Sequence, residues 1–252
     1  GITIFVLATL SVIGNLIVIF VFVNTKSLRS PSNLLIVNLA FSDFLMMTNM
    51  CPAMLIACIY RTWLLGPTYC GWYAFTGSLC GCLSIWTMVF ITLERYNVIV
   101  KGVASKPMSF NGAIRRIVFV WTLSIIWVGL PLLGWSRYVP EGNLTACGTD
   151  YLTEDPISQA YIYTYSIISY GVPLVITLYC YTYIVQAVAN HERSMKEQAK
   201  KMGVKTFRNE ETHQRSLEFR LAKIALMTVS LWFIAWTPYL VINIMGMVAK
   251  QY

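Results

Sequence analysis

The amino-acid sequence predicts an all-α protein, a bundle of six helices that each cross a membrane, and three observations lead there. Apolar residues make up 57% of the 252-residue chain and charged residues only 12%, about half the roughly 25% of soluble domains. Uncharged runs recur that are long enough to cross a bilayer, which takes about 20 residues. Lipid offers no partner for open strand edges, so such runs form helices. A soluble fold and a disordered chain are thereby excluded.

The six predicted helices belong to one transmembrane domain that covers residues 1–252. Five of the apolar runs contain no charged residue, and the second run contains only Asp43. None of the runs resembles a cleavable signal peptide. The first run begins at Gly1 without a methionine, so we expect that the natural N-terminus is missing. The helices are predicted at about residues 1–24, 31–60, 70–96, 114–135, 158–192 and 216–249.

The charges between the runs set the orientation of the chain. Of the 19 Lys and Arg residues, 16 lie in loops on one side, and Arg61, Arg137 and Lys250 lie on the other. The basic side is cytoplasmic by the positive-inside rule, so the loop 137–158 is extracellular. The net charge of +8 therefore reflects topology and not nucleic-acid binding. The polar stretch 191–223 is interpreted as a cytoplasmic loop into which two helices extend, with a break at Gly203.

Three polar side chains stand at membrane depth: Asn15 in the first helix, and Asn38 and Asp43 in the second. A carboxylate at that depth is costly, so it faces the bundle interior or water. Two interpretations remain open for these residues. They form either a functional switch or a structural hydrogen-bond network, and such a network can itself be the switch.

The run Glu94-Arg95-Tyr96 ends the third helix at the cytoplasmic face. An acid beside a base can pair locally and lower the cost of desolvation. Glu218 opens the sixth helix at the same level and offers Arg95 a second partner, in a bridge that could lock two helices and release them. The alternative is an arginine that merely snorkels at a helix end.

The extracellular side carries two features of its own. Cys70 and Cys147 are the two cysteines predicted to lie outside the membrane, in an oxidising compartment, so we expect them to pair. The tripeptide Asn143-Leu144-Thr145 is a glycosylation sequon. It lies in a loop that we expect to fold into the bundle, which would hinder its modification.

Prolines are predicted to kink the helices at Pro131, Pro173 and Pro238. The run Trp236-Thr237-Pro238-Tyr239 places two aromatic rings beside such a kink. This is either a movable joint beneath a ligand or ordinary packing. The two histidines lie 22 residues apart, and neither a metal site nor a nucleophile beside a base is apparent, so the sequence argues against an enzyme.

Taken together, these motifs resemble those of the rhodopsin-like G-protein-coupled receptors. The matching set consists of Gly14-Asn15, Leu39-Ala40 with Asp43, Cys70, Glu94-Arg95-Tyr96, Trp121, Pro173 with Tyr181, and Trp236-Thr237-Pro238. Within that family the chain resembles the arthropod visual opsins over residues 26–34, 94–102, 134–142 and 198–202. The last of these runs is similar to a signature of opsins that couple to Gq-class G proteins.

The resemblance implies a seven-helix receptor of which six helices are present here. It implies a light sensor that carries 11-cis-retinal on a lysine of the seventh helix, which this sequence does not contain, and we do not assign that role to Lys250. The implied partners are a Gq-class heterotrimeric G protein, arrestin and membrane lipid, in the plasma membrane of rhabdomeric photoreceptors. The implied retinal pocket comprises Tyr73, Gly77, Ser78, Tyr181, Trp232, Trp236 and Tyr239.

The resemblance also implies a counterion for the protonated retinal Schiff base. Vertebrate visual opsins place a carboxylate three residues after the cysteine of the third helix, where this chain has the neutral Tyr73. Glu141 matches the loop glutamate that serves invertebrate opsins. Asp43 is expected to lie deeper and, with Asn15, to belong to an activation network. The alternative for Glu141 is an acid on a solvated loop.

Two other functions compete with light sensing. A receptor for a diffusible ligand such as a biogenic amine would place an Asp in the third helix, but residues 70–93 contain no acid. A transporter or channel would show broken or charged helices in related halves, and the chain shows no such internal pairing. A lysine in the middle of a seventh helix would distinguish the opsin from the amine receptor.

Overall fold

The structure, a computed structural model, describes residues 1–201 and 210–249, so Gly203 and Lys250 lie outside the described residues. Within that part of the chain, six helices are long and apolar enough to cross a membrane, which confirms the predicted fold class. The first four are α1 (Ile2–Asn24), α2 (Pro31–Tyr60), α3 (Gly66–Tyr96) and α4 (Phe110–Gly129). The fifth, α5, spans Pro156–Lys201, and the sixth, α6, spans Glu210–Ala249.

Capping residues explain where several helices begin. The Ser30 hydroxyl accepts a hydrogen bond from the Asn33 amide at the start of α2, and Ser109 does the same for the Gly112 amide at the start of α4. Serine is a favoured N-cap because its oxygen satisfies an amide that lacks a helical partner. Because of the cap at Ser109, α4 begins at Phe110 and not at the predicted residue 114.

The three prolines expected to kink helices have different surroundings. Pro131 lies in a 3₁₀ turn, Leu130–Leu133, that ends α4 at Gly134. Pro173 follows a π-turn, Ile167–Gly171, that divides α5 into the segments Pro156–Ser166 and Val172–Lys201. Pro238 lies within the continuous helix α6. A second π-turn, Asn97–Lys101, extends α3 on the cytoplasmic side.

The core of the molecule is α3, which packs against α2, α4, α5 and α6. Leu83 and Ile85, in the middle of α3, are completely buried. The first helix differs, since Ala8 is its one buried residue. Because α3 is surrounded by other helices, polar residues at its two ends meet partners from several of them.

The extracellular loop contains a feature that the sequence analysis did not predict, an antiparallel β-hairpin. Strand β1 (Tyr138–Glu141) pairs with β2 (Ala146–Thr149), with Glu141 opposite Ala146. Gly142 and Leu144 adopt positive φ angles in the connecting turn. The disulfide Cys70–Cys147 fastens β2 to α3, as predicted. The hairpin therefore lies against the extracellular ends of the helices.

Candidate functional site

A cavity lies among α3, α5, α6 and β2, on the extracellular side of the bundle. Its wall combines aromatic rings with a few hydroxyl and amide groups. The lining residues are Ser78, Gly81, Cys82, Thr149, Ile162, Tyr165, Ser166, Ser169, Tyr170, Trp232, Trp236, Tyr239, Leu240 and Asn243. A wall of this kind suits a mostly apolar organic ligand whose orientation is set by a small number of polar contacts.

Helix α6 supplies a row of rings to this wall. Trp232, Trp236 and Tyr239 are spaced four and three residues apart, so they project from one face of the helix. Ring centroids lie 5.8 Å apart for Trp232 and Trp236 and 6.0 Å apart for Trp236 and Tyr239. Gly81 of α3 makes room for this row, because a Cβ atom there would lie 3.3 Å from Trp236 Cζ2.

Helix α5 supplies a second wall that the sequence analysis missed. Tyr165 donates a hydrogen bond to the Ser78 carbonyl (3.3 Å), and Ser169 donates to the Tyr165 carbonyl (2.7 Å). The Tyr170 and Thr237 hydroxyls lie 2.6 Å apart and join α5 to α6. Ser169 and Tyr170 follow Ser166 by three and four residues, a spacing that groups polar atoms on one helix face. This spacing is the signal from which the sequence analysis could have predicted the wall.

The hairpin bonds to α6 from both of its strands. The Tyr239 hydroxyl donates to Glu141 Oε2 of β1 (3.1 Å), and the Thr149 hydroxyl of β2 donates to Asn243 Oδ1 (3.3 Å). Burial raises the pKa of the Glu141 carboxyl, and the hydrogen bond from Tyr239 partly offsets that rise. The structure thus places a carboxylate beside a residue that lines the cavity, in surroundings that disfavour an uncompensated negative charge.

The predicted pocket residues divide into two groups. Ser78, Trp232, Trp236 and Tyr239 line the cavity, while the other three lie outside its wall.

Those three residues do not line this cavity, and each has other neighbours. Tyr73 packs in the cluster around the disulfide, with its ring edge-on to Trp63 at 5.2 Å. Gly77 faces Met50 of α2. Tyr181 lies about three turns beyond Tyr170 along α5, and its hydroxyl donates to the Ala222 carbonyl (3.3 Å). These positions follow from how each helix is rotated in the bundle, which the motifs do not encode.

Asp43 lies in a group of hydrogen bonds between α2 and α3, to which Asn15 does not belong among the described residues. The Ser84 hydroxyl lies 2.7 Å from Asp43 Oδ1, and the Ser42 hydroxyl lies 2.9 Å from that of Ser84. Asn15 instead bonds to the Ser11 carbonyl of its own helix (2.9 Å). In the described residues the side-chain amide of Asn15 is therefore satisfied within α1.

Asn38 belongs to a neighbouring group of hydrogen bonds between helices. Its amide donates to Thr87 of α3 and accepts from the indole of Trp121 in α4, both at 2.9 Å. One amide therefore connects α2 to two other helices.

At the cytoplasmic end of α3, the two charges of the Glu94-Arg95-Tyr96 run pair with two different helices. Arg95 forms an ion pair with Glu218 of α6. Glu94 pairs with Arg116 of α4 at 3.3 Å, and no ion pair within the described residues joins Glu94 to Arg95. In place of the expected local pairing, each of the two charges therefore pairs with a residue of another helix. The Tyr96 ring packs against rings of α5 and beneath the Lys101 ammonium group, 5.5 Å away.

The sequon lies in a different place from the one expected. Asn143 is exposed in the turn that joins β1 to β2, and Gly142 and Leu144 on either side of it are exposed as well. The strands of the hairpin lie against the bundle, but the turn projects away from it, so its burial was predicted wrongly.

Comparison with known proteins agrees with this architecture. The family described as "7 transmembrane receptor (rhodopsin family)" matches residues 14–252. Rhodopsin of the crayfish Procambarus milleri is 62% identical over 239 residues, which cover 95% of this chain and 79% of that protein. Rhodopsin of Faxonius virilis has the same identity and coverage. The crystal structure of squid rhodopsin superposes with a TM-score of 0.86 at 37% identity, covering 98% of this chain and 71% of that one.

The chain therefore belongs to the rhodopsin family of seven-transmembrane receptors, as an opsin of the arthropod type. It is a light-sensing, multi-pass membrane receptor that couples to a G protein, and it is not an enzyme. The comparisons favour this assignment over a receptor for a biogenic amine.

Proposed function

We propose that this receptor holds 11-cis-retinal in the cavity between α3, α5 and α6 and passes the effect of light to a Gq-class G protein. In this proposal retinal is attached to a lysine on a seventh helix that follows the 252 residues. Arrestin binds the activated receptor, and the protein resides in rhabdomeric photoreceptor membrane. The crayfish relatives carry the name rhodopsin, which supports the choice of ligand.

The cavity fits a long apolar polyene. The rings of Trp232, Trp236 and Tyr170 supply flat apolar surface, and the hydroxyls of Ser78 and Ser169 supply polar contacts at its edge. When bound, retinal supplies the absorption of light and a change of shape on isomerisation. The chain itself supplies the shape of the cavity, the exclusion of water and a negative charge.

That negative charge is the observation that carries the proposal. Glu141 bonds to Tyr239, which lines the cavity, and residues 70–93 of α3 contain no acid that could replace it. A buried carboxylate without a compensating charge is costly. A cationic link between retinal and its lysine would provide that compensation, and Glu141 would in return keep the link protonated. We therefore assign Glu141 as the counterion.

The proposed signal passes from the cavity to the cytoplasmic face along α6. Trp236 lines the cavity one residue before Thr237, whose hydroxyl bonds to Tyr170 of α5, and Pro238 follows at a point where the helix lacks an amide donor. Glu218, near the other end of α6, holds Arg95 of α3. Movement of α6 at the Trp236–Pro238 joint separates this pair and frees Arg95 to contact the G protein.

Substitution of the proposed counterion provides the test. The receptor is expressed from its complete gene, reconstituted with 11-cis-retinal and compared with Glu141→Gln. We expect the variant to absorb in the ultraviolet at neutral pH, because the link loses its proton when the anion is removed. The matched control is Glu154→Gln, an exposed acid in the same loop, which should retain visible absorption.

Visible absorption of Glu141→Gln that is unchanged from mildly acidic to mildly alkaline pH would remove Glu141 from this role. Failure of the unaltered receptor to form any pigment with retinal would contradict the proposed ligand itself.

A further inference from the structure

A hydrogen bond joins α5 to the part of α6 that bends in the proposed activation. The hydroxyl oxygens of Tyr170 and Thr237 lie 2.6 Å apart. Thr237 also donates its hydroxyl proton to the carbonyl of Phe233, one turn earlier on α6. A hydroxyl carries a single proton, so Thr237 accepts from Tyr170 while it donates to Phe233. The three groups therefore form a chain of hydrogen bonds in one direction, and Tyr170 is its first donor.

The backbone of α6 is weak at this point. Pro238 has no amide hydrogen, so the carbonyl of Ile234 lacks the helical partner that residue 238 would otherwise supply. The Thr237 hydroxyl adds a bond to the same turn through Phe233, and bonds from a threonine to the carbonyl four residues earlier bend helices. The direction of the Thr237 side chain therefore influences the bend, and Tyr170 helps to fix that direction.

Tyr170 contacts both the cavity and α6. It belongs to the π-turn Ile167–Gly171 of α5, a kind of irregularity that is frequent at functional sites. Its ring lies edge-on to Phe233 at 5.0 Å and 6.1 Å from Trp232, and it forms part of the cavity wall. A displacement of this ring is therefore felt directly by α6.

The hydrogen bond opposes bending of α6. Both hydroxyls are partly buried, and a buried donor that loses its acceptor costs more free energy than the bond contributed. If α6 bends so that Thr237 moves away from α5, the hydroxyl of Tyr170 loses the acceptor that it has in this structure. The straight and the bent forms of α6 therefore differ by the presence of this bond.

We propose that Tyr170 is a positioning residue that restrains α6 at Thr237 and so keeps the receptor inactive in the dark. Displacement of the Tyr170 ring at the cavity wall separates its hydroxyl from Thr237, and α6 is then free to bend at Pro238. This inference rests on the proposed function, in which movement of α6 at that point activates the G protein.

The first test is Tyr170→Phe, which keeps the ring and removes the hydroxyl, in the receptor expressed from its complete gene and reconstituted with 11-cis-retinal. Nucleotide exchange on a purified Gq-class G protein is measured per molecule of pigment, in the dark and after illumination. We expect dark exchange to rise about two- to tenfold, the range that one neutral hydrogen bond contributes to an equilibrium, and exchange after illumination to stay the same. Tyr163→Phe, the same change at an exposed position of α5, should leave both values unchanged.

The second test removes the acceptor. Thr237→Val, which has a similar shape but no hydroxyl, should raise dark exchange at least as much as Tyr170→Phe, whereas Thr237→Ser, which keeps the hydroxyl, should raise it less. In a Thr237→Val background the further change Tyr170→Phe should add nothing, because the bond is already absent. Equal increments in both backgrounds overturn the inference, as does the absence of a rise in the two single variants.

Pigment yield and thermal stability separate positioning from packing. A purely structural role of the hydroxyl would lower these two quantities without raising dark exchange per molecule of pigment, and that result overturns the inference. If Tyr170→Phe forms no pigment, Thr237→Val decides in its place, and failure of both to form pigment also overturns the inference. The proposed function fails separately, if the unaltered receptor forms no pigment or shows no exchange in response to light.

Discussion

The two ends of the bundle are fastened in different ways. At the extracellular end, the hairpin is joined to α3 by the Cys70–Cys147 disulfide and to α6 by hydrogen bonds from buried Thr149 and from Tyr239. At the cytoplasmic end, the helices are joined by ion pairs, of which Arg95–Glu218 connects α3 with α6. A covalent bond does not open thermally, whereas an ion pair between two helices can be broken when the helices move apart.

This difference suits a receptor whose ligand stays at one end while its output appears at the other. The extracellular end keeps α3, α6 and the hairpin together around the cavity. The cytoplasmic end can separate α3 from α6 without breaking a covalent bond. Four substitutions test this contrast between the ends, and the one with the largest expected effect comes first.

Removal of the disulfide should have the largest effect. The bond closes a loop between residues separated by 77 positions, so Cys70→Ala should lower the free energy of unfolding by about 4–5 kcal/mol in the chain-entropy description. We expect misfolded receptor that is retained inside the cell, measured as surface expression and pigment yield. Cys58→Ala, which removes a free cysteine of α2, is the control. Normal surface expression of Cys70→Ala would show that the hydrogen bonds alone hold the hairpin in place.

Substitution of Arg95, which forms the ion pair with Glu218 at the cytoplasmic end, should affect signalling but not the absorption of the pigment. Arg95→Ala should reduce light-driven nucleotide exchange by roughly tenfold or more, because in the proposed switch Arg95 is the group released toward the G protein. Its absorption spectrum should be unchanged, since Arg95 lies far from the cavity wall. Arg115→Ala serves as a charge-matched control. Full light-driven exchange by Arg95→Ala would end its assignment to the switch.

The pH dependence of the thermal stability of the retinal-free receptor should reveal how far the buried charge of Glu141 destabilises the folded protein. Burial raises its pKa in the folded protein, so the folded state binds this proton more tightly than the unfolded chain does. The contribution of Glu141 to stability is therefore greatest in acid and falls as pH rises from the unfolded pKa, about 4.3, through the raised folded pKa. Glu141→Gln should remove this fall and increase the thermal midpoint at neutral pH. A lower midpoint in the variant at neutral pH would contradict this sign.

Loss of one hydrogen bond between the hairpin and α6 should have the smallest effect. Thr149→Val removes the hydroxyl that donates to Asn243, and a bond of this kind contributes about 0.5–1.5 kcal/mol. We expect a small decrease in the thermal midpoint of the dark pigment, with unchanged signalling in response to light. Thr68→Val, at an exposed position of α3, should show no decrease. A loss as large as that of Cys70→Ala would mean that the hydrogen bonds and not the disulfide dominate this end.

The sequence was most informative where a signal is local. Runs without charge located the membrane spans, and the two extracellular cysteines indicated the disulfide that the structure contains. The hairpin was not predicted, because its strands have four residues each and β1 includes Pro140. Such short strands form only when a neighbouring surface supports them.

The sequence was least informative about pairs between helices. Arg116 counted only as one of the basic residues that set the topology, and its contact with Glu94 depends on how α4 is rotated against α3. The α5 wall of the cavity was missed for a similar reason. Hydropathy shows that a segment crosses the membrane, but it does not show which face of that segment meets the ligand.

The disposition of the hairpin also limits how the receptor can change over evolution. Gly148 stands beside the disulfide on β2, and a Cβ atom at that position would overlap the carboxylate of Glu141. Any larger residue at 148 would displace the acid from Tyr239. Retention of the hydrogen bond between Glu141 and Tyr239 therefore favours glycine at position 148, whereas a change at Glu141 places no such demand on Gly148. Variation that adjusts the colour sensitivity of the pigment is thereby directed away from this part of the loop and toward the helical walls of the cavity.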